Sequence, residues 1–151
     1  GFVAYMRRRR SSRVPVMMGF QAQGACPMVT GQFTDHPETV ATAIRIGRPV
    51  NARRARWAVR MSGGAFEAVE DREILRAQMD LARCGLFAEP ASCTPLAGLR
   101  KLAREGRLPR GIRVVMVLTG NGLKDVETPL RSAGSVVELE DSLETLEGVI
   151  P

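Results

Sequence analysis

The chain has 151 residues, of which 44% are hydrophobic and 25% charged. This composition is typical of one folded globular domain and excludes a disordered or fibrous chain. No apolar run reaches the roughly 20 residues that a membrane-spanning helix needs, and no secretory signal is visible. The three cysteines, Cys26, Cys84 and Cys93, form no closed disulfide set, so we expect a reducing, cytoplasmic location.

The net charge of +6 is unevenly distributed along the chain. Residues 1–60 contain 11 arginines and two acidic residues, whereas the remaining 91 residues contain 11 basic and 14 acidic groups. A basic segment is typical of nucleic-acid binding, but the arginine cluster at residues 7–10 has no interleaved aromatic residues and no helix-turn-helix or zinc pattern follows. We therefore interpret it as a solvated surface and predict neither a nucleic-acid nor a membrane partner.

The first half of the chain is predicted to alternate between strand, turn and helix. Apolar residues 14–21 predict a strand buried on both faces, and Pro27 is expected in the first turn of a short helix. The predicted order is a helix end over residues 1–10, the strand, a helical turn from Gly24, a loop over residues 30–50, and a helix over residues 52–61 capped by Asn51.

The second half continues this alternation. Its predicted elements are a strand over residues 65–69, a helix opened by Glu70 and Asp71, a helix capped by Ser92 with Pro95 in its first turn, a buried strand over residues 112–118, a strand over residues 135–139, and an acidic helix near Leu143. Strands alternating with helices indicate an α/β fold, part of an open, mostly parallel twisted sheet flanked by helices. Such sheets bind ligands beyond the carboxyl ends of their strands.

One loop at such a strand end has the composition of a ligand loop. Residues 118–122 read LTGNG, in which the glycines allow close backbone approach and Thr119 offers a hydroxyl. The pattern is neither a P-loop nor a dinucleotide fingerprint, so both a ligand loop and a tight turn fit it.

His36 is the sole histidine, which supports neither a catalytic dyad nor a histidine metal site. We predict no metal.

Five stretches taken together carry a resemblance. They are GFQAQGACP at 19–27, PETVATAIRIGRP at 37–49, SGG at 62–64, EPAS at 89–92 and LTGNGLKD at 118–125. In this order they resemble the C-terminal part of threonine synthase, a pyridoxal-phosphate enzyme of the tryptophan-synthase-β fold type. The resemblance extends to about Asp125. It divides the chain into the C-terminal part of a large domain, residues 1–125, and a tail, residues 126–151.

The resemblance implies an activity and a set of site residues. The family is a lyase that converts O-phosphohomoserine and water to L-threonine and phosphate on pyridoxal phosphate, and it is commonly a homodimer. Thr119 would lie beside the pyridine nitrogen of the cofactor and take part in catalysis. Ala43 would face the cofactor, and Glu89 and Ser92 would lie near the ring; a helix cap is the competing interpretation of Ser92.

The same resemblance predicts an incomplete enzyme. The family's cofactor-binding lysine and its glycine–asparagine phosphate loop match no residues of this chain, so we expect the chain alone to be inactive and the strands at 14–21 and 112–118 to lack some neighbours.

Two other interpretations stay open. One is another enzyme of the same fold type, such as a serine/threonine dehydratase or a cysteine synthase. The other is a truncated, non-catalytic module that binds a protein or RNA.

Overall fold

A computed structural model of the chain describes Arg8, residues 14–132 and residues 138–149. The helix predicted over residues 1–10, the arginine cluster apart from Arg8, and most of the strand predicted at 135–139 lie outside the described residues. Within the described part of the chain, no helix is long and apolar enough to cross a membrane.

Among the described residues two parallel strands form a sheet, and they confirm the predicted α/β class. Strand β1 (Gly19–Ala22) pairs with β2 (Phe66–Val69), with Gly19 opposite Phe66 and Ala22 opposite Val69. The helices are α1 (Pro27–Thr30), α2 (Ala52–Met61), α3 (Asp71–Arg83), α4 (Pro90–Arg104), α5 (Glu127–Ser132) and α6 (Leu143–Glu147), and short 3₁₀ turns occupy Gln23–Ala25, Thr42–Ile44 and Gly122–Lys124. Helix α5 is the one helix here that the sequence pattern did not predict.

The start of α3 shows how the sequence ends a strand and opens a helix. The Glu70 carboxylate accepts a hydrogen bond from the backbone of Glu73, and the Glu73 carboxylate accepts one from the Glu70 N–H. This reciprocal capping satisfies two donors that the helix itself leaves unpaired. Asn51 stands before α2 as predicted, but its side chain makes no capping hydrogen bond. The predicted cap was therefore wrong, although the bounds of the helix were right.

Helix α4 packs against both strands and against α3, so it lies at the centre of the described structure. Its contact with β1 depends on a glycine. A Cβ added at Gly98 would lie 1.9 Å from the Cδ1 atom of Phe20. The absence of a side chain at this position therefore lets the aromatic ring lie directly on the helix. Core residues on both sides of the contact are small or aliphatic: Ala22, Val69, Ile74, Ala77, Leu81, Cys93 and Ala97.

The start of α4 corrects a prediction that matters for the site. The helix begins at Pro90, with Glu89 in the N-cap position, so Ser92 lies inside the first turn and caps nothing. Pro95 lies in the helix interior rather than in its first turn. The physical reason is that proline is favoured at the first helical position, and Pro90 supplies one two residues upstream of Ser92. The Ser92 hydroxyl is thereby free for another partner.

The strand predicted over residues 112–118 was wrong. This segment has no regular secondary structure, and Val115 and Val117 are 83% and 67% exposed. Residues 14–18 likewise precede β1 without joining it, and Val16 is 61% exposed. An apolar run becomes a strand only where a neighbour pairs its backbone, and within the described residues only β1 and β2 pair as strands.

We predict that Gly98→Ala destabilises the fold. In an exposed helix this change would stabilise by about 1 kcal/mol through helix propensity. Here the clash with Phe20 should instead lower the free energy of unfolding by about 1–3 kcal/mol, measured by urea unfolding. In a Phe20→Leu background the penalty should shrink, because the ring that the new methyl meets is gone. An equal loss in both backgrounds would show that Phe20 is not the obstacle.

Candidate active site

The loop after Leu118 is attached by its backbone to the start of α4. The Glu89 N–H donates to the Gly120 carbonyl at 3.2 Å, and the Gly122 N–H donates to the Phe87 carbonyl at 3.0 Å. Between these bonds Ala88 and Asn121 form an isolated antiparallel bridge. Residues 112–118 offer no ladder of their own, so these contacts determine where Thr119 lies.

Two hydroxyls meet at this attachment. The Ser92 Oγ accepts a hydrogen bond from the Gly120 N–H at 2.8 Å and lies 3.2 Å from the Thr119 Oγ1. Ser92 is 1% exposed, whereas Thr119 is exposed. The buried serine is therefore bonded to the hydroxyl of an exposed threonine. The structure thus brings together two residues that the sequence placed near one site.

Glu89 lies against the same loop with its carboxylate buried. The residue is 4% exposed, and one carboxylate oxygen lies 3.4 Å from the Lys124 Nζ. A Cβ added at Gly120 would stand 2.0 Å from the Glu89 Oε1. Only glycine therefore allows the carboxylate to pack on this backbone. The lysine supplies the opposite charge that a buried carboxylate requires.

Ala43 lies in the exposed 3₁₀ turn Thr42–Ile44, which contacts α4 from another side. The loop before this turn is held by Asp71. Its Oδ1 accepts from the Thr39 hydroxyl at 2.6 Å, and its Oδ2 accepts from the Val40 N–H at 2.9 Å. The Arg45 guanidinium donates to the Thr39 carbonyl at 2.6 Å. Helix α4 thus touches both segments in which cofactor contacts were predicted.

Asp71 is a positioning residue that the sequence analysis missed. It was recognised only as a helix-opening acid, which is a sufficient explanation by itself. Its place two residues after the end of β2 was the available signal, because side chains that follow parallel strands lie at the same edge of the sheet. Its partner Thr39, 32 residues earlier and 5% exposed, gave no local signal.

We call the two hydrogen bonds that Asp71 accepts from Thr39 and Val40 the Asp71 clamp. A cleft of about 980 Å³ adjoins it. Its lining combines both charges on Glu38, Arg45, Asp71, Asp125, Glu127 and Arg131. The lining includes neither Thr119 nor Glu89, and Asp71 and Arg45 are engaged in the bonds to the Thr39–Val40 loop. We therefore place the candidate site at the accessible Thr119 hydroxyl rather than in this cleft.

The other candidate groups supply no second site. His36 is exposed in a loop, and the described residues contain no group of three metal-binding side chains. Cys84 is exposed, whereas Cys93 is buried. Burial, and then the charge of Glu89, raise the pKa of the Cys93 thiol to about 11. That thiol is therefore protonated at neutral pH and is not an activated nucleophile.

Comparison with known proteins identifies the class. A sequence profile of the pyridoxal-phosphate dependent enzymes matches residues 1–120. The chain therefore belongs to the pyridoxal-phosphate dependent enzyme family, which confirms the predicted cofactor class and fold type.

Within that class the chain is similar to threonine synthases from several organisms. The chain is 48% identical to the threonine synthase of Synechocystis sp. over 139 residues, which are 91% of this chain and 36% of that protein. It is 44% identical over 146 residues to that of Methanocaldococcus jannaschii, with the same two coverages. It is 46% identical over 137 residues to that of Mycobacterium bovis, 90% of this chain and 38% of that protein.

These identities confirm the resemblance seen in the motifs, and the chain spans a little over a third of the length of these relatives. A solved structure, that of a T.th. threonine deaminase, is similar over 62% of this chain and 35% of that chain, with 22% identity and a TM-score of 0.48.

The residues present fit one end of pyridoxal phosphate. The ring nitrogen of this cofactor needs a hydrogen-bond partner and its aldehyde needs a lysine. The exposed Thr119 hydroxyl, supported by Ser92, fits the first need. Both lysines of the sequence have other partners, since Lys101 donates to the Ala68 carbonyl at 2.8 Å and Lys124 pairs with Glu89. Neither lysine is therefore free to hold the aldehyde in this structure.

We predict that Asp71→Ala loosens the Thr39–Val40 loop and lowers the free energy of unfolding by about 1–3 kcal/mol, because it leaves two donors without their acceptor. Asp80 is the matched control on the same helix, since its ion pair with Arg100 is exposed. Asp80→Ala should cost at most about 1 kcal/mol in the same urea titration. Equal losses for the two variants would contradict the clamp.

The cysteines should react with iodoacetamide in the order of their burial. At pH 8 a thiol with a pKa of about 11 is ionised to about one part in a thousand, so Cys93 should resist alkylation in the folded protein. Exposed Cys84 should be modified first, as peptide mapping would show. All three cysteines should react in denaturant. Modification of Cys93 as fast as Cys84 in the native state would contradict the packing of α4.

Proposed function

We propose that this chain forms part of a threonine synthase, which converts O-phosphohomoserine and water to L-threonine and phosphate. One observation carries the proposal: Thr119 is exposed and its hydroxyl is bonded to buried Ser92, in a chain 44–48% identical to threonine synthases of three organisms. The whole activity is assigned to the complete enzyme, because these relatives are more than twice as long as the matched region.

Pyridoxal phosphate, when bound, supplies the electron sink for the carbanion chemistry of this replacement. In our proposal Thr119 gives the ring nitrogen a neutral hydrogen bond. A carboxylate at that place would hold a proton on the nitrogen and deepen the sink. In our proposal a threonine leaves the ring nitrogen unprotonated, so the electron sink is weaker than it would be beside a carboxylate. The Glu89 carboxylate does not take over this role in our proposal, because it faces Lys124.

The remaining predicted contacts complete the proposed site. Ala43 would face the cofactor from the turn that Asp71 and Arg45 support through Thr39. Glu89 would line the site beneath Gly120, where its carboxylate packs on the backbone. The lysine that holds the aldehyde would come from another part of the enzyme. Thr119 would also serve the later steps, in which water is added at the β-carbon, because its hydroxyl is an accessible donor and acceptor.

The test uses a full-length enzyme that includes this chain. Thr119→Val removes the hydroxyl at nearly constant volume and should lower kcat for threonine formation from O-phosphohomoserine by about 10²–10³-fold, the cost of losing one positioned donor. Thr119→Ser keeps a donor and should be milder. Near-normal kinetics of Thr119→Val would overturn the assigned role.

Two controls separate this function from its competitors. Thr30→Val alters an exposed threonine on α1 whose hydroxyl donates only to nearby backbone carbonyls, and it should change kcat by less than about twofold, as surface substitutions generally do. Serine should be a poor substrate beside O-phosphohomoserine. Faster turnover of serine would instead identify a dehydratase or cysteine synthase of the same fold type.

A further inference from the structure

The distance between the Ser92 and Thr119 hydroxyls does not show which of them donates to the other. The burial of Ser92 does. A serine hydroxyl has one hydrogen and two acceptor lone pairs. One lone pair of Ser92 is already used, because the Gly120 N–H donates to it at 2.8 Å and an N–H has no other role. Ser92 Oγ and Thr119 Oγ1 lie 3.2 Å apart. Only one of the two hydroxyls can place its hydrogen between these oxygens.

Burial assigns that hydrogen to Ser92. Ser92 is 1% exposed, and Thr119 Oγ1 is the one acceptor in hydrogen-bond contact with its hydroxyl among the described residues. The nearby Ala88 carbonyl accepts instead from the Gln78 amide at 3.0 Å. If Thr119 donated to Ser92, the Ser92 hydrogen would be buried without an acceptor, at a cost of about 1–3 kcal/mol. Thr119 incurs no such cost, because the residue is exposed and its hydroxyl hydrogen can be donated to solvent or a ligand.

We infer that Ser92 is a positioning residue that makes Thr119 a hydrogen-bond donor toward the ligand side. The chain of donors runs from the Gly120 N–H to Ser92, from Ser92 to Thr119, and from Thr119 outward. Consecutive hydrogen bonds of this kind polarise one another, which strengthens the outward donor. Such a donor complements a ring nitrogen that carries a lone pair and disfavours one that carries a proton. The inference rests on the proposed place of Thr119 beside that nitrogen.

The experiment measures the dissociation constant of pyridoxal phosphate by fluorescence titration of the full-length apoenzyme that includes this chain. Ser92→Ala should weaken binding by about five- to twentyfold, which corresponds to the loss of one hydrogen bond. In a Thr119→Val background the same substitution should weaken binding by less than about twofold, because the residue through which Ser92 acts is gone. Ser92→Thr keeps the hydroxyl and should restore binding to within about twofold of the unaltered enzyme.

Thr94 provides the matched control. It is a buried hydroxyl residue two positions along the same helix, 1% exposed, and its hydroxyl bonds back to the Pro90 carbonyl rather than to the loop. Thr94→Val should leave the dissociation constant within about twofold of the unaltered enzyme, because it touches no group of the donor chain. A general destabilisation of α4 would instead raise the dissociation constant in both the Ser92 and the Thr94 variants.

The outcomes separate the inference from the proposed function. An equal effect of Ser92→Ala in both backgrounds, or none in either, would overturn the inference. If Ser92→Ala does not fold by circular dichroism, the near-isosteric Ser92→Cys replaces it in the same cycle, with a smaller expected loss because a thiol is a weak donor. Failure of the unaltered enzyme to form threonine from O-phosphohomoserine, with the cycle intact, would overturn the proposed function alone.

Discussion

The described structure depends on the attachment of the Thr119–Gly122 loop to the first turn of α4. Residues 112–118 lead into this loop without a ladder partner, so the backbone bonds from Glu89 and Phe87 and the Ser92 hydroxyl determine its place. Helix α4 is itself fixed by its packing against both strands and α3. The start of α4 therefore connects the packed core to the loop that carries Thr119.

This attachment also separates two oxygen groups that would serve a cofactor differently. The carboxylate of Glu89 packs beneath Gly120 and is balanced by Lys124, while Thr119 is an exposed residue whose hydroxyl is bonded to Ser92. A negative carboxylate and a neutral hydroxyl set the protonation of a pyridine nitrogen in opposite ways. In our proposal the loop presents the neutral partner to the cofactor, because the carboxylate pairs with Lys124 and the Thr119 hydroxyl is bonded to Ser92. Glycine at position 120 is the condition for the placement of the carboxylate.

Local pattern was enough to predict much of this from the sequence. The bounds of α2 and the order of β2 and α3 follow from periodicity and from glycine and acidic end signals. Thr119 was singled out because LTGNG accompanied four other stretches of one family. Two features could not be predicted locally. The role of Ser92 depends on a helix start that Pro90 moves upstream, and the Asp71 clamp depends on a partner 32 residues away. Apolar residues 112–118 look like a strand, since their pattern records a preference for burial and not the presence of a neighbour.

The central claim is that Thr119 presents a neutral donor to the cofactor's ring nitrogen. The most direct measurement is the nitrogen-15 NMR chemical shift of ring-labelled pyridoxal phosphate in the full-length holoenzyme, followed across neutral pH. Our account predicts the shift of an unprotonated, hydrogen-bonded pyridine nitrogen that stays constant through this range. The shift of a pyridinium would contradict it, because a protonated nitrogen donates its own hydrogen and leaves the Thr119 donor without an acceptor.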